Sequence, residues 1–129
     1  MTVIPPAPTP DIIEAACDQS VLAGLVTDLG AETAGELIEL FIAETRARLR
    51  RIAAPACEAG RLLRDVHTLR GGAGTVAATR LAALAHALET RLRAGGTASD
   101  TDVAALQAAF DAYTDRARGC AHQAAAASP

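Results

Sequence analysis

Residues 61–77 read RLLRDVHTLRGGAGTVA. Placed at about 100° per residue, Leu62, Val66, Leu69 and Ala73 fall on one side, and Val76 extends the stripe. That spacing predicts an amphipathic helix that starts near Pro55 or Glu58 and runs into the seventies. His67 falls well away from the apolar side. Gly60, Gly71, Gly74 and Ala78 gather around its angle, and Arg64 and Arg70 lie three residues to either side, where helix neighbours meet. The glycines allow two endings. Either the helix stops at Arg70 and they form a loop, or it continues through Gly71, Gly72 and Gly74 at a cost of about 3 kcal/mol relative to alanine. In the second case the glycines supply space, so that a partner backbone or a bulky group on the imidazole can come close.

Working outward, the flanking segments also have helical periodicity. Residues 31–53 carry a stripe of Leu37, Leu40, Phe41, Leu49 and Ile52, with Glu44 and Arg48 four apart in the favourable order and Pro55 as a stop. Residues 79–94 turn Leu81, Leu84, Ala85, Leu88 and Leu92 inward, and Gly95-Gly96 closes the helix. Ser99-Asp100-Thr101-Asp102 resembles a capping box with Asp in place of Glu. It opens a last helix through Val103, Leu106, Phe110, Tyr113 and Ala117. Upstream, Asp18 is a candidate N-cap for Val21, Leu22, Leu25, Val26 and Leu29, with Gly30 as the stop. Thr9-Pro10-Asp11 suits the start of another short helix. Residues 1–10, with four prolines, read as a flexible arm, and the alanine-rich end at 121–129 is expected to fray. Long helices on short loops pack as antiparallel neighbours. The expected fold is therefore all-α: an up-down four-helix bundle within residues 11–120, with one or two short N-terminal helices.

Composition narrows the functional classes. The 129 residues suit one domain and are 50% hydrophobic with only 2% aromatic, so the core is aliphatic. No apolar run approaches the roughly 20 residues of a membrane span. Met1–Pro10 has neither the positive charge nor the apolar run of a signal peptide. Cys17, Cys57 and Cys120 are odd in number and widely spaced, which fits reduced thiols in a cytoplasmic protein. The net charge of −3 argues against nucleic acid as a partner. Its distribution is uneven. Residues 46–93 hold ten arginines against three acids, and the rest of the chain holds two arginines against twelve acids. Such a basic middle either steers toward an acidic protein surface or simply solvates helix faces.

An exposed imidazole flanked by arginines fits a phosphoryl acceptor. Neutral imidazole has one nitrogen with a free lone pair, and the other nitrogen needs an acceptor to hold that tautomer. Arg64 or Arg70 can neutralise the phosphoryl oxygens. The run from His67 to Ala77 resembles the signature of histidine-containing phosphotransfer (HPt) domains: His, any residue, a hydrophobic residue, Lys or Arg, Gly, then small residues and a Gly. Residues 37–51 and 81–89 are similar to the helices that flank the histidine in that family, and roughly residues 18–118 are covered. The resemblance implies that His67 is phosphorylated, that Arg70 is the basic residue beside the phosphoryl group and that Gly71 clears room for the partner. It also implies that Glu89 bonds the imidazole. Helix position, not the resemblance, adds Arg64, Gly74 and, one turn beyond Glu89, Arg93 as expected partner-binding residues. No cofactor is expected on this chain, because the magnesium belongs to the partner receiver domain. The implied partners are response-regulator receiver domains and a hybrid sensor histidine kinase, met by a monomer without membrane attachment. One departure is Ala77, where the family usually has Gly ten residues after the histidine.

Other readings are weaker. His86 falls on the polar side of its helix and reads as solvated. His122 lies in the tail, and with Cys120 it makes no second ligand pair for a metal. Asp65 points elsewhere on the wheel from His67. The dimerisation helix of a sensor kinase usually has an acid after its histidine and a proline soon after, where this chain has Thr68 and Gly72. No nucleotide-binding segment is present, so the chain is not expected to be an enzyme that phosphorylates itself. An interaction module that is never phosphorylated is the alternative, and it has no need of His67, Arg70 and Glu89 together.

Overall fold

A computed structural model describes residues 16–54 and 58–127, with side chains as far as position 119. The proline-rich arm, the short helix expected from Pro10, Pro55, Cys57 and the side chains of Cys120 and His122 lie outside the described residues. Five helices follow in order: α1 (Gln19–Leu29), α2 (Ala31–Ala53), α3 (Ala59–Thr75), α4 (Thr79–Arg93) and α5 (Asp100–Ala127). The described residues contain no strand. Helix α3 packs on α2 and α4, α5 closes the ring against the same two, and α1 lies on α2. The connections are short, so successive helices run antiparallel and α2–α5 form the expected up-down bundle.

The core sits between these four helices. Tyr113, Phe110, Ile38, Ile42, Leu69, Leu81, Leu88 and Leu106 are its largest fully buried apolar side chains. Each such burial contributes about 1.5–3 kcal/mol. Phe41 meets Tyr113 edge to face with ring centroids 5.6 Å apart. Helix α2 corrects the expected stripe. Ile38 and Ile42 are buried beside Phe41, Leu49 and Ile52, while Leu37 is half-buried and Leu40 is 55% exposed. The inward direction is centred by those two isoleucines and Thr45, and Leu40 falls outside it. Arg48 does not pair with Glu44. Its Nε turns to Asp65 on α3 at 3.6 Å, where Arg51 Nη2 also donates at 3.0 Å. Asp65 is buried, so its attraction for Arg48 is screened less by solvent than that of the exposed Glu44. In α1, Leu22 is buried but Val21 and Leu29 are exposed, because this short helix packs mainly on α2.

The helix ends follow their sequence signals closely. Asp18 accepts from the amides of Ser20 and Val21. The amide of Ser99 donates to Asp102 at 2.8 Å, and the amide of Asp102 donates to the Ser99 hydroxyl at 3.1 Å, a reciprocal capping box. At the end of α4 the amides of Gly95 and Gly96 donate to the carbonyls of Leu92 and Arg91, with Gly95 at φ 89°, a Schellman turn. Helix α5 continues to Ala127, so the tail expected to fray from 121 is helical over most of its length. Alanine has the highest helix propensity, and the run of alanines extends the helix without needing contacts.

Helix α3 continues through all three glycines to Thr75, which decides between the two endings. Its last turn is also a Schellman turn. The amide of Ala78 donates to the Ala73 carbonyl at 2.8 Å, and Ala77 stands at φ 68° in the left-handed region. Ala77 is the position at which the HPt pattern has glycine, and the backbone explains that preference. Other parts of the chain hold the turn from outside. The Tyr113 hydroxyl donates to the Val76 carbonyl at 2.8 Å, and the Asp18 amide donates to the Ala77 carbonyl at 2.9 Å. Ala78, expected near His67 on the helix wheel, is instead buried in this turn beyond the end of α3.

Candidate functional site

His67 lies midway along α3 with its side chain 53% exposed. The three-residue turn at 76–78 brings α4 back alongside, so Glu89 comes level with it. The imidazole Nδ1 is 2.6 Å from Glu89 Oε2. Glu89 is only 4% exposed, and three side chains satisfy its carboxylate. Besides His67, Arg70 Nε donates to Oε1 at 3.0 Å, and Arg93 Nη2 donates to Oε2 at 2.9 Å from one turn along α4. A buried charge held by several charge-assisted hydrogen bonds is the arrangement that low dielectric tolerates. The Arg93 hydrogen bond is the main influence holding the Glu89 carboxyl below its ordinary range; burial opposes it, and the contacts with His67 and Arg70 reinforce it.

An ionised Glu89 can only accept. His67 Nδ1 therefore carries the ring proton and donates it, and Nε2 keeps the lone pair. No described residue bonds Nε2. The expected nucleophile and its orienting acceptor are thus brought together.

Arg70 does more than the sequence suggests. Its Nη1 lies 3.1 Å from Nδ1 of His86. His86 is exposed, yet the expectation that it is merely solvated is corrected. Guanidinium only donates, so His86 accepts through its Nδ1 lone pair. The signal was the spacing of His86 and Glu89, three apart on one face of α4, which one long arginine side chain can bridge.

The glycines divide by role. A Cβ added to Gly71 or Gly74 would meet no atom within 4 Å, whereas one added to Gly72 would meet the Phe41 ring at 3.4 Å. Gly72 thus fits a tight packing contact with α2, and Gly71 and Gly74 leave bare helix on the face of His67. Arg64 is exposed one turn before His67 and forms no ion pair among the described residues. Arg93 is engaged with Glu89 rather than free to meet a partner. Asp65 is turned to Arg51 and Arg48, away from the site.

No helix among the described residues is long and apolar enough to cross a membrane. Comparison with curated proteins and with solved structures finds no match. The family model for the Hpt domain matches residues 36–119, nearly the whole of the bundle that carries His67 and Glu89, and the chain belongs to the Hpt domain family.

Proposed function

We propose that this chain is a histidine phosphocarrier in a two-component phosphorelay, accepting a phosphoryl group on His67 from a receiver-domain aspartate and passing it to another. Hpt domains serve histidine phosphotransfer in phosphorelays. The observation that carries the finer reading is the bond from His67 Nδ1 to an ionised, buried Glu89, with Nε2 bonded to no described residue on a half-exposed side chain.

The chemistry follows from that bond. The Nε2 lone pair attacks the phosphorus of the acyl phosphate. The N–P bond forms as the O–P bond breaks, and the aspartate leaves as a carboxylate. Nδ1 keeps its proton throughout, so the ring becomes cationic, and the Glu89 carboxylate lies against the charge that develops. Phosphoryl transfer otherwise depends on positioning and charge neutralisation. Arg70, three residues along α3 from His67 and bonded to the same carboxylate, is the guanidinium that would turn to the phosphoryl oxygens. Gly71 and Gly74 let the partner approach, and Arg64 lies on its docking side. The magnesium ion comes with the receiver domain, and this chain needs no cofactor of its own. A receiver in a hybrid sensor kinase is the fitting donor and a response regulator the fitting acceptor, both met by a cytoplasmic monomer.

The test is transfer from a receiver domain phosphorylated by a small-molecule donor, with wild type and His67→Gln compared. Label that is acid-labile, base-stable and absent from the variant supports the proposal. If the variant still accepts phosphate, or if receivers bind wild type without transferring, the carrier reading fails and an unphosphorylated interaction module takes its place.

A further inference from the structure

Arg70 is stretched between two acceptors on α4. Helices α3 and α4 run antiparallel, so a step forward on one is matched by a step back on the other. His67 faces Glu89, and one turn along α3 Arg70 faces His86, one turn before Glu89. The guanidinium spans the gap between the two. Its Nε lies 3.0 Å from Glu89 Oε1, and its Nη1 lies 3.1 Å from His86 Nδ1. Its Nη2 bonds no described residue.

An arginine beside a carboxylate commonly closes on it with two parallel N–H groups, one to each oxygen. At Glu89 that closure would crowd an oxygen already in use. Oε2 meets His67 Nδ1 at 2.6 Å and accepts from Arg93 Nη2 at 2.9 Å and Arg93 Nε at 3.3 Å. A further donor there would compete with the bond that orients His67. His86 supplies an acceptor in the other direction and keeps the Arg70 fork open. The same contact sets its tautomer. His67 donates from Nδ1 and keeps the Nε2 lone pair, whereas neutral His86 accepts at Nδ1 and so carries its proton on Nε2. His86 is exposed, yet its one lone pair is occupied by Arg70.

We infer that His86 is a positioning residue for phosphotransfer at His67. Its neutral imidazole anchors Arg70 away from a closed pair with Glu89, and so leaves the guanidinium a donor to spare for the phosphoryl oxygens. The inference rests on the carrier reading above. His86 acts only through Arg70, so its contribution vanishes when Arg70 is absent. An exposed histidine that merely solvates α4 has no such dependence. With its lone pair engaged, His86 is also held apart from the nucleophile's role, and the phosphoryl group goes to His67.

The experiment measures initial transfer rates from receiver domains phosphorylated with acetyl phosphate in magnesium, at about pH 8, where free imidazole is neutral. It compares wild type, His86→Ala, His86→Asn, Arg70→Ala and the double variant Arg70→Ala/His86→Ala. His86→Ala should slow transfer by about 3- to 10-fold. His86→Asn, whose amide oxygen takes the place of Nδ1 as acceptor, should recover most of that loss. In the Arg70→Ala background, His86→Ala should cost less than about 2-fold more. Melting temperatures of the His86 variants should stay close to wild type, since the side chain is exposed and alanine is the better helix former. Proton–nitrogen correlation spectra of wild type should show His67 protonated on Nδ1 and His86 on Nε2. His86→Ala transferring at the wild-type rate overturns the inference. So does the same fold loss with and without Arg70, and so does a His86 that carries its proton on Nδ1. If wild type itself takes no label from any receiver, the carrier reading fails and the positioning role falls with it.

Discussion

Replacing Gly71 by alanine should strengthen the protein and weaken its function, and the opposite signs make the test decisive. Gly71 lies inside α3, one turn before its end, and its carbonyl accepts from the Thr75 hydroxyl at 3.1 Å, a bond that the substitution leaves in place. A Cβ built there meets nothing within 4 Å, so no packing penalty arises. What remains is backbone propensity, a gain of about 0.5–1 kcal/mol for alanine over glycine in a helix interior. At this chain length that raises Tm by about 2–5 °C. Gly72→Ala is the control. Its Cβ meets Phe41 at 3.4 Å, so its gain should be smaller or absent. In phosphotransfer, Gly71→Ala adds a methyl group to the face beside His67 and displaces the partner by a fraction of an ångström to an ångström, which should slow transfer by about 10- to 100-fold. Thermal and urea unfolding give the first quantity, and the initial rate of label transfer gives the second. If Gly71→Ala is more stable and transfers at the wild-type rate, the glycine does not serve partner approach. If it is less stable, the helix does not run through this position as described.

Three further outcomes follow from the geometry. Glu89→Ala should remove the acceptor from His67 Nδ1 and release Arg70 and Arg93. Transfer should fall about 10-fold or more, and imidazole nitrogen chemical shifts should show Nδ1 losing its fixed proton. Tyr113→Phe leaves the buried Val76 carbonyl without its hydroxyl donor and should cost about 1–2 kcal/mol in chemical denaturation while leaving His67 able to accept phosphate. Asp102 is held at about 2 by the Arg91 hydrogen bond first and by the Ser99 amide next. Its folded pKa lies below its unfolded value of 3.8, so its stabilisation is complete above that pH and is lost as pH falls toward 2. Asp102→Asn should therefore flatten the acid limb of the stability curve between those values, as read by melting temperature against pH.

Where local pattern decides the outcome, the fold was legible in advance. Helices α1, α2 and α5 start, and α4 ends, where the sequence signals put them, because Asp18, Gly30, Ser99 with Asp102 and the Gly95-Gly96 pair act on neighbours within a few residues. His67 and Glu89 were legible because helical spacing and the HPt pattern agree. Tertiary competition was not. Arg48 abandons Glu44 for Asp65 because a partly buried carboxylate on another helix is visible only once α2 and α3 are packed. Leu40 counts as apolar in any wheel, yet Ile38 and Ile42 take the inward direction. The Arg70–His86 contact depends on the relative height of two helices, which the turn at 76–78 sets and which periodicity within either helix does not reveal. The choice between helix and loop at Gly71–Gly74 was evenly balanced locally and was decided by the Ala73–Ala78 closure and the supports from Tyr113 and Asp18.

Those supports tie the module together in time as well as in space. The backbone at 76–77 is clasped by residue 18 from upstream and residue 113 from downstream, so the turn that aligns His67 with Glu89 is complete only when chain segments nearly a hundred positions apart have assembled. A fragment ending before Tyr113 lacks one clasp and a fragment beginning after Asp18 lacks the other. His67 and Glu89 therefore belong to a single cooperative unit. The amide proton of Asp18, bonded to that turn, should exchange with deuterium only through global unfolding, at the same slow rate as amides in the middle of α3, although it lies before the first turn of α1.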